Sequence, residues 1–169
     1  MKKILELKTI EFPYRFADRV INQSIKDEIT EALTTPLEGI SKVSRPELNS
    51  LLKTRLTQMQ FEPQPFVFNN SKDMGLRMDF MKQRHGVEVA FSHRSFFGMD
   101  VMKFQQASTG EGHIDTGIYI VATSNFQKEM NNRGGKWKSS LTFEQIQRYL
   151  TNFQNIIHVP ILLVGVDVS

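Results

Sequence analysis

The sequence contains no cysteine, and this absence excludes disulfides, thiolate metal sites and cysteine nucleophiles together. It also has no apolar run close to the roughly 20 residues that a membrane-spanning helix needs. The longest apolar stretch, residues 159–164, predicts a buried strand instead. The opening segment Met1–Lys8 is too short in its apolar part, and too charged, for a signal peptide. We therefore expect a cytoplasmic protein with no membrane partner.

The chain also has little excess charge of either sign. Its formal net charge is +3 and its pI is about 9.2, which permits an anionic partner without selecting one. With 169 residues, 40% of them hydrophobic and 13 of them phenylalanine, it has the length of one ordinary domain and the material for a substantial core. We predict that residues 1–169 form a single domain.

Two periodicities alternate along the chain. Apolar residues that recur every three or four positions predict helices at 17–33, from Ser44-Arg-Pro46 onward, and at 95–107, 126–130 and 142–150. Apolar, β-branched and aromatic residues between turn signals predict strands at 4–12, 65–69, 76–82, 86–92, 114–122 and 158–166. Ser44 is a suitable N-cap, and Glu47 three residues later fits a capping box. This alternation predicts an α/β domain.

Asp79 and Glu88 flank a predicted turn. If that turn lies within Gln83–Gly86, antiparallel pairing places the two carboxylates on one face with Cβ atoms about 5 Å apart. Two carboxylates so close repel each other, so such a pair usually holds a cation. Mg²⁺ binds one or two carboxylates and keeps several waters, so the pair suits Mg²⁺ better than Zn²⁺. A metal there could bind a phosphodiester oxygen and activate a water, which makes hydrolytic phosphodiester cleavage the expected reaction.

A plainer interpretation stays open on spacing alone. Asp79 and Glu88 also suit the solvent-facing positions of an amphipathic hairpin, because Asp and Glu are common on exposed strand faces. The four histidines predict no zinc site, since none has the i, i+4 spacing of a helical zinc pair and His85 falls in the predicted turn.

Asp79, eight intervening residues, Glu88-Val89-x-Phe91 and a following helix resemble the catalytic hairpin of the PD-(D/E)xK nucleases. The resemblance is strongest to the branch typified by the restriction enzymes BglII and BamHI. It extends through Leu48–Lys53 and Ile114–Ile120, over roughly residues 40–165. It implies a single nuclease-like domain with a restriction-endonuclease-like α/β fold, in which helices flank a mixed central β-sheet. The implied activity is Mg²⁺-dependent, site-specific cleavage of double-stranded DNA within a restriction-modification system, with Mn²⁺ as a substitute metal.

By the same resemblance, Asp79 and Glu88 would bind the metal together with the backbone carbonyl of Val89. The family pattern places Lys, Glu or Gln at the third catalytic position, which is Ala90 here. A methyl group can neither orient the attacking water nor accept its proton. Three accounts are open: the protein is catalytically impaired, another side chain reaches the site, or the protein binds DNA without cutting it.

Other residues are candidates for completing the site. Lys82 and Lys103 are the nearest in sequence that could replace the missing group. Family members also place an acidic or amide residue from an upstream element near the metal, a role open to Glu47 and Asn49, although Glu47 also fits the capping box.

Several cationic or amide side chains are candidates for DNA contacts. They are Asn49, Arg77, Arg84, Arg94, Lys103, Arg133, Lys136 and Lys138. The last three belong to a loop, residues 131–138, that also fits an ordinary solvated segment. A restriction enzyme that reads a two-fold-symmetric sequence is expected to be a homodimer. Two other classes of protein remain open: a non-catalytic DNA-binding protein on the same fold, and a structural or protein-interaction module.

Overall fold

The computed structural model describes residues 4–69, 75–91, 93 and 96–169. The strands are β1 Ile4–Leu5, β2 Leu7–Tyr14, β3 Leu37–Glu38, β4 Glu62–Pro63, β5 Phe80–Lys82, β6 His85–Val89, β7 Thr116–Ala122 and β8 Ile161–Val168. The helices are α1 Ala17–Val20, α2 Gln23–Thr34, α3 Arg45–Gln58, α4 Phe97–Gln105, α5 Ser124–Asn132 and α6 Phe143–Asn152. A π-helical turn, Gln106–Gly110, continues α4. Within these described ranges, no helix combines the length and the apolar character needed to cross a membrane.

Six strands form one mixed sheet in the order β2-β8-β7-β6-β5-β4. The central strands β6, β7 and β8 are parallel to one another. The strands outside them, β2 on one side and β5 and β4 on the other, pair antiparallel with their neighbours. β1 and β3 form a separate two-stranded antiparallel sheet. This architecture confirms the predicted α/β fold, a mixed central sheet flanked by helices.

The sheet separates two apolar cores. Helices α2, α3 and α5 cover one face with side chains that include Ile29, Leu52 and Phe126. Helices α4 and α6 cover the other face with side chains that include Phe104 and Ile146. Because side chains alternate along a strand, residues two apart on one strand point into the same core. This alternation decides which side chains can meet beside the β5–β6 hairpin.

The β5–β6 hairpin has the predicted antiparallel pairing, with Phe80 opposite Val87 and Lys82 opposite His85. Its two-residue turn, Gln83-Arg84, has positive φ values of 47° and 66°. Positive φ at both positions is the feature of a type I′ turn, whose twist matches that of the flanking strands. The prediction that His85 lies in the turn is wrong, because His85 begins β6 and is buried.

Helix α3 begins with the predicted capping box. Ser44 Oγ accepts a hydrogen bond from the Glu47 backbone N–H at 3.4 Å, and Glu47 Oε2 accepts one from the Ser44 N–H at 2.7 Å. Hydrogen bonds that the Glu47 carboxylate accepts from the Ser44 side chain and backbone lower the pKa of that carboxyl. Glu47 therefore caps the N-terminus of α3, where its negative charge also interacts favourably with the helix dipole.

Three predicted elements differ from the structure in more than their end residues. The helix predicted at 17–33 is divided, because Ile21 between α1 and α2 has an extended backbone with φ −74° and ψ 132°. The strand predicted at 65–69 is wrong, since that segment contributes an isolated bridge between Phe66 and Arg77. The first strand runs through Pro13, which β2 tolerates because it is an edge strand of the main sheet.

Candidate active site

The β5–β6 hairpin places Asp79 and Glu88 at one cleft. Extending the Phe80–Val87 pairing by one residue puts Asp79 opposite Glu88, as the sequence spacing predicts. Asp79 Oδ2 accepts a hydrogen bond from the Val89 backbone N–H at 2.8 Å, which fixes the Asp79 carboxylate against β6. Asp79, Glu88 and Val89 together line a cleft of about 200 Å³.

Helix α4 adds two charged side chains to the same cleft. Lys103 Nζ lies 2.7 Å from Glu88 Oε1 and 3.2 Å from Asp100 Oδ1. Asp100 and Lys103 are three residues apart, so the helix presents them side by side. Asp100 Oδ2 also accepts a hydrogen bond from the Tyr119 hydroxyl at 2.8 Å. The carboxylates of Glu88 and Asp100 therefore both contact the Lys103 ammonium, and Asp79 lines the same cleft.

Burial makes this cluster electrostatically unusual. Glu88 is 3% exposed, and its burial together with the Asp79 carboxylate raises its pKa to about 9, although Lys103 opposes the rise. Burial likewise raises the pKa of Asp100. Burial alone would lower the pKa of Lys103, but Glu88 and Asp100 raise it. The ionised form of Glu88 thus needs more positive charge than Lys103 supplies.

The residues of the cleft fit a hard divalent cation. Glu88 Oε1 is buried and accepts no well-aligned hydrogen bond from the described residues, although Lys103 Nζ is close. Within the described part of the chain, no three His, Cys, Asp or Glu side chains form a metal cage by themselves. Mg²⁺ does not require such a cage, because it commonly takes one or two carboxylates and fills its other positions with water and substrate oxygens.

Ala90 lies on the same face of β6 as Glu88. Its side chain is 2% exposed and packs in the core beneath α4, with Val101 and Phe104. Position 90 therefore contributes only a methyl group to the wall beside the cleft.

Two lysines were singled out by sequence, Lys82 and Lys103. They lie on opposite faces of the sheet. Lys82 Nζ lies 2.6 Å from Glu28 Oε2 and also donates to the Met59 carbonyl at 2.7 Å. It shares its face of β5 with Phe80, which packs in the core under α2 and α3. Lys103 reaches the cleft, whereas Lys82 is on the other side of the sheet.

Asn49 lies next to the carboxylate cleft. It lines a second depression with Val89, Phe91, Pro46 and Arg45, and so faces the end of β6. Arg45 is the first residue of α3, and its guanidinium donates to Ser140 Oγ at 3.1 Å. A third depression also contains Arg45 and extends to Lys136 and Lys138, both of which are exposed.

Three of the predicted DNA-contacting arginines are engaged within the protein. Arg77 donates to the Gln64 carbonyl and stacks 3.8 Å from the ring centroid of Phe66. Arg84 forms a two-point pair with Asp115, at 2.9 and 2.7 Å. Arg133 donates to the Ser41 carbonyl and lies 3.6 Å from Glu129. Arg94 lies outside the described residues.

The loop that carries Lys136 and Lys138 is anchored by Trp137. The indole is fully buried, packs edge-on against Phe91 and Phe126, and donates from Nε1 to the Val43 carbonyl at 2.7 Å. The two flanking lysines therefore project from a fixed backbone. Less backbone conformational entropy would be lost if they bound DNA.

Sequence reasoning did not single out Asp100, Tyr119 or Arg45. Asp100 carries a detectable signal, because its spacing of three residues from Lys103 on a predicted helix brings the two charges together. Tyr119 sits in a buried central strand, where its hydroxyl needs a partner. Arg45 carries no such signal, since an arginine in the first turn of a helix is ordinary.

Comparison with solved structures gives the class of protein. The crystal structure of restriction endonuclease BglII complexed with a DNA 16-mer is similar to this chain, with a TM-score of 0.73 and 23% sequence identity. The match covers 94% of this chain and 75% of that one. The fold is therefore that of a restriction endonuclease. A search of curated protein sequences finds no match.

The family follows from the sequence itself. A family model described as restriction endonuclease BglII/BglIII matches residues 10–166, which is most of the chain. The chain belongs to the BglII/BglIII restriction endonuclease family, a family of type II site-specific deoxyribonucleases. The resemblance inferred from the hairpin is thereby confirmed, and the structural or protein-interaction module is disfavoured.

Proposed function

We propose that this protein is an active, Mg²⁺-dependent endonuclease that cuts double-stranded DNA at a specific sequence in the cytoplasm, with Mn²⁺ as a substitute metal. The observation that supports it best is the convergence of Asp79 and Glu88 in one cleft with surplus negative charge. Asp79, Glu88 and the backbone carbonyl of Val89 would hold the cation. When bound, the metal supplies charge stabilisation to the phosphoryl group and acidifies a water.

The protein residues around the cleft support binding of a DNA backbone. Asn49 and Arg45 form a polar path from Val89 toward the 131–138 loop, where Lys136 and Lys138 are exposed. Lysine and arginine contacts to phosphates position a duplex without reading its sequence. We assign these side chains to backbone contacts, and Arg77, Arg84 and Arg133 to holding the protein's own loops.

A homodimer is the second part of the proposal. Helix α4 exposes Met99 and Met102, at 48% and 64%, on the side away from the core. Gln105 at the end of α4 donates to the carbonyl of Ile156, whose side chain is 68% exposed. These neighbouring apolar side chains suit contact with the same surface of a second copy, as a two-fold dimer requires.

The test is cleavage of mixed-sequence DNA with Mg²⁺, Mn²⁺, Ca²⁺ or a chelator. We expect discrete fragments with Mg²⁺ or Mn²⁺ and none with the chelator. Asp79→Asn should lower the cleavage rate by at least about 10³-fold, because metal assistance is worth several kcal/mol and each 1.36 kcal/mol is tenfold. Asp115→Asn is the matched control, since Asp115 is an exposed carboxylate at the other end of the hairpin, and should change the rate by less than about twofold.

Several results would contradict parts of the proposal. Equal cleavage by the wild type and Asp79→Asn would remove Asp79 from the site. Sequence-specific retention of DNA by the wild type, without cleavage in either metal, would instead support a non-catalytic DNA-binding protein on the same fold, the alternative that Ala90 favours. Light scattering of the free protein tests the dimer, and a monomer at all concentrations would refute it.

A further inference from the structure

We propose that Lys103, carried by helix α4, is the catalytic residue that replaces the side chain missing at position 90, and that Asp100 and Tyr119 position it. This inference rests on the proposed nuclease function and names a residue of that same site. It explains how a chain with Ala90 keeps a complete set of catalytic groups.

The position of the Lys103 ammonium is fixed from two sides. Nζ lies 2.7 Å from Glu88 Oε1 and 3.2 Å from Asp100 Oδ1, and the side chain is 11% exposed. Asp100 is held in turn by the Tyr119 hydroxyl at 2.8 Å. This hydroxyl comes from the residue directly paired with Glu88 across the β6–β7 ladder. The chain Tyr119–Asp100–Lys103 therefore ties the ammonium to the sheet that carries the metal ligand.

The small residue at position 90 and the lysine on α4 are structurally coupled. Ala90 packs in the same core as Val101 and Phe104, the buried side chains of α4. A long side chain at position 90 would meet that helix, because protein cores are close-packed. With alanine there, α4 lies near enough to β6 for Lys103 to reach Glu88.

The chemistry required of Lys103 is hydrogen-bond donation. In the reaction, the oxygen of a water forms a bond to phosphorus while the bond from phosphorus to the leaving deoxyribose oxygen breaks. The attacking water loses a proton to solvent, and the leaving oxygen takes one from solvent. Lys103 keeps its protons throughout and donates hydrogen bonds to the attacking water and to the negative charge that grows on the phosphoryl oxygens. Fixed donors aimed at developing charge are among the largest contributors to catalysis.

Lys82 provides a matched control within the chain. It is also a lysine with a mostly buried side chain, 16% exposed against 11% for Lys103, and it also has a short ion pair with a glutamate. It differs in facing the opposite core, away from the cleft. Substitution of either lysine removes one mostly buried positive charge and a short contact to a glutamate, so an effect specific to Lys103 reports on the site.

The experiment compares Lys103→Ala, Lys103→Gln and Lys103→Arg with Lys82→Ala. The readouts are the single-turnover cleavage rate in Mg²⁺ and the retention of DNA in Ca²⁺, with thermal unfolding as the check of folding. We expect Lys103→Ala and Lys103→Gln to lose about 10²–10³-fold in rate, the cost of one oxyanion donor. Retention in Ca²⁺ should stay within about threefold, because Asp79 and Glu88 remain. Lys103→Arg should recover part of the rate, and Lys82→Ala should cleave normally once corrected for folded protein.

The positioning pair is tested by a double-substitution cycle. Tyr119→Phe alone should lower kcat about tenfold and leave KM unchanged, because the ammonium loses part of its support. In the Lys103→Ala background it should cost nothing further, since residues that act through one another are not additive. A merely structural role for the Tyr119 hydroxyl would give the same loss in both backgrounds and would contradict the proposal.

The outcomes separate this inference from the proposed function. If the wild type neither cleaves DNA nor retains it in a metal-dependent way, the nuclease proposal itself fails. If the wild type cleaves and folded Lys103→Gln cleaves within about twofold of it, only the role of Lys103 is refuted. A parallel loss of Ca²⁺-dependent retention and cleavage would also refute that role, because it would make Lys103 a support for the metal ligands.

Discussion

The β5–β6 hairpin takes part in two different kinds of ion pair, one through Lys82 and the other between Glu88 and Lys103 of α4. On the face under α2 and α3, Lys82 meets one carboxylate, Glu28, and a backbone carbonyl. On the opposite face, Lys103 meets Glu88 and Asp100, with Asp79 nearby. The first pair is balanced, whereas the second has more negative charge than its lysine can neutralise. An unbalanced buried cluster is relieved by a bound proton or by a further cation, which is why the second pair is the candidate metal site.

The two ion pairs should differ most in their effect on the rate of DNA cleavage. Glu88→Gln should lower DNA cleavage by at least about 10³-fold, because the metal loses a charged ligand. Glu28→Gln, the equivalent change at the Lys82 pair, should leave the rate of the folded protein within about twofold. Initial rates on a single-site DNA substrate measure both. Comparable losses in the two variants would show that the two faces are not functionally distinct.

The same pair of variants should have opposite effects on stability. Without metal, the pKa of Glu88 is about 9, well above the value near 4.5 expected in the unfolded chain, so the folded state holds a proton that the unfolded state releases. This contribution to stability is full below pH 4.5 and declines as pH rises toward 9. At pH 7, Glu88→Gln should therefore raise the free energy of unfolding by roughly 2–3 kcal/mol.

Glu28→Gln should instead lower the free energy of unfolding by about 1 kcal/mol, since Lys82 loses the charge of its partner in a partly exposed pair. Urea unfolding at pH 5, 7 and 8.5 in the presence of a chelator measures both effects. The stability gain of Glu88→Gln should grow with pH and should shrink when Ca²⁺ stabilises the wild type. A gain that is the same at every pH would contradict the assigned cause.

The hairpin could be predicted because two signals agree there. Alternation along β5 and β6 fixes which residues face which core, and the Gln83-Arg84 turn fixes the register, so Asp79 and Glu88 meet as predicted. The same alternation distinguishes the two lysines, since Lys82 is three residues from Asp79 on one strand and must face the other way. Spacing along β5 thus places Lys82 on the face opposite Asp79 and Glu88.

The rest of the site depends on tertiary packing. Whether Lys103 reaches Glu88 is set by how closely α4 approaches the sheet, which depends on the volume at Ala90 and Phe104. The strand predicted at 65–69 was wrong because strand pairing also depends on tertiary packing. The segment is rich in apolar residues, but it contributes just an isolated bridge, to Arg77. Apolar composition predicts burial more reliably than it predicts pairing.

The smallest expected effect concerns the turn that holds both faces in register. Gln83 and Arg84 have positive φ, which costs most residues about 1 kcal/mol or more and costs Asn or Gly much less. The double substitution Gln83→Asn with Arg84→Gly should therefore favour the type I′ turn. It also removes the exposed Arg84–Asp115 pair, which is worth less than about 1 kcal/mol. We expect a net stabilisation of roughly 0.5–1 kcal/mol in urea unfolding, with cleavage unchanged.

Arg84→Ala separates the two contributions of the turn, because it removes the ion pair and keeps a side chain at positive φ. It should destabilise the protein by several tenths of a kcal/mol, the ordinary value of an exposed pair. If the double variant is also destabilised, the Arg84–Asp115 pair outweighs the backbone cost. If it is stabilised but loses cleavage, the turn does more than set the register, and the two lysine sites cannot be compared as independent faces of one rigid hairpin.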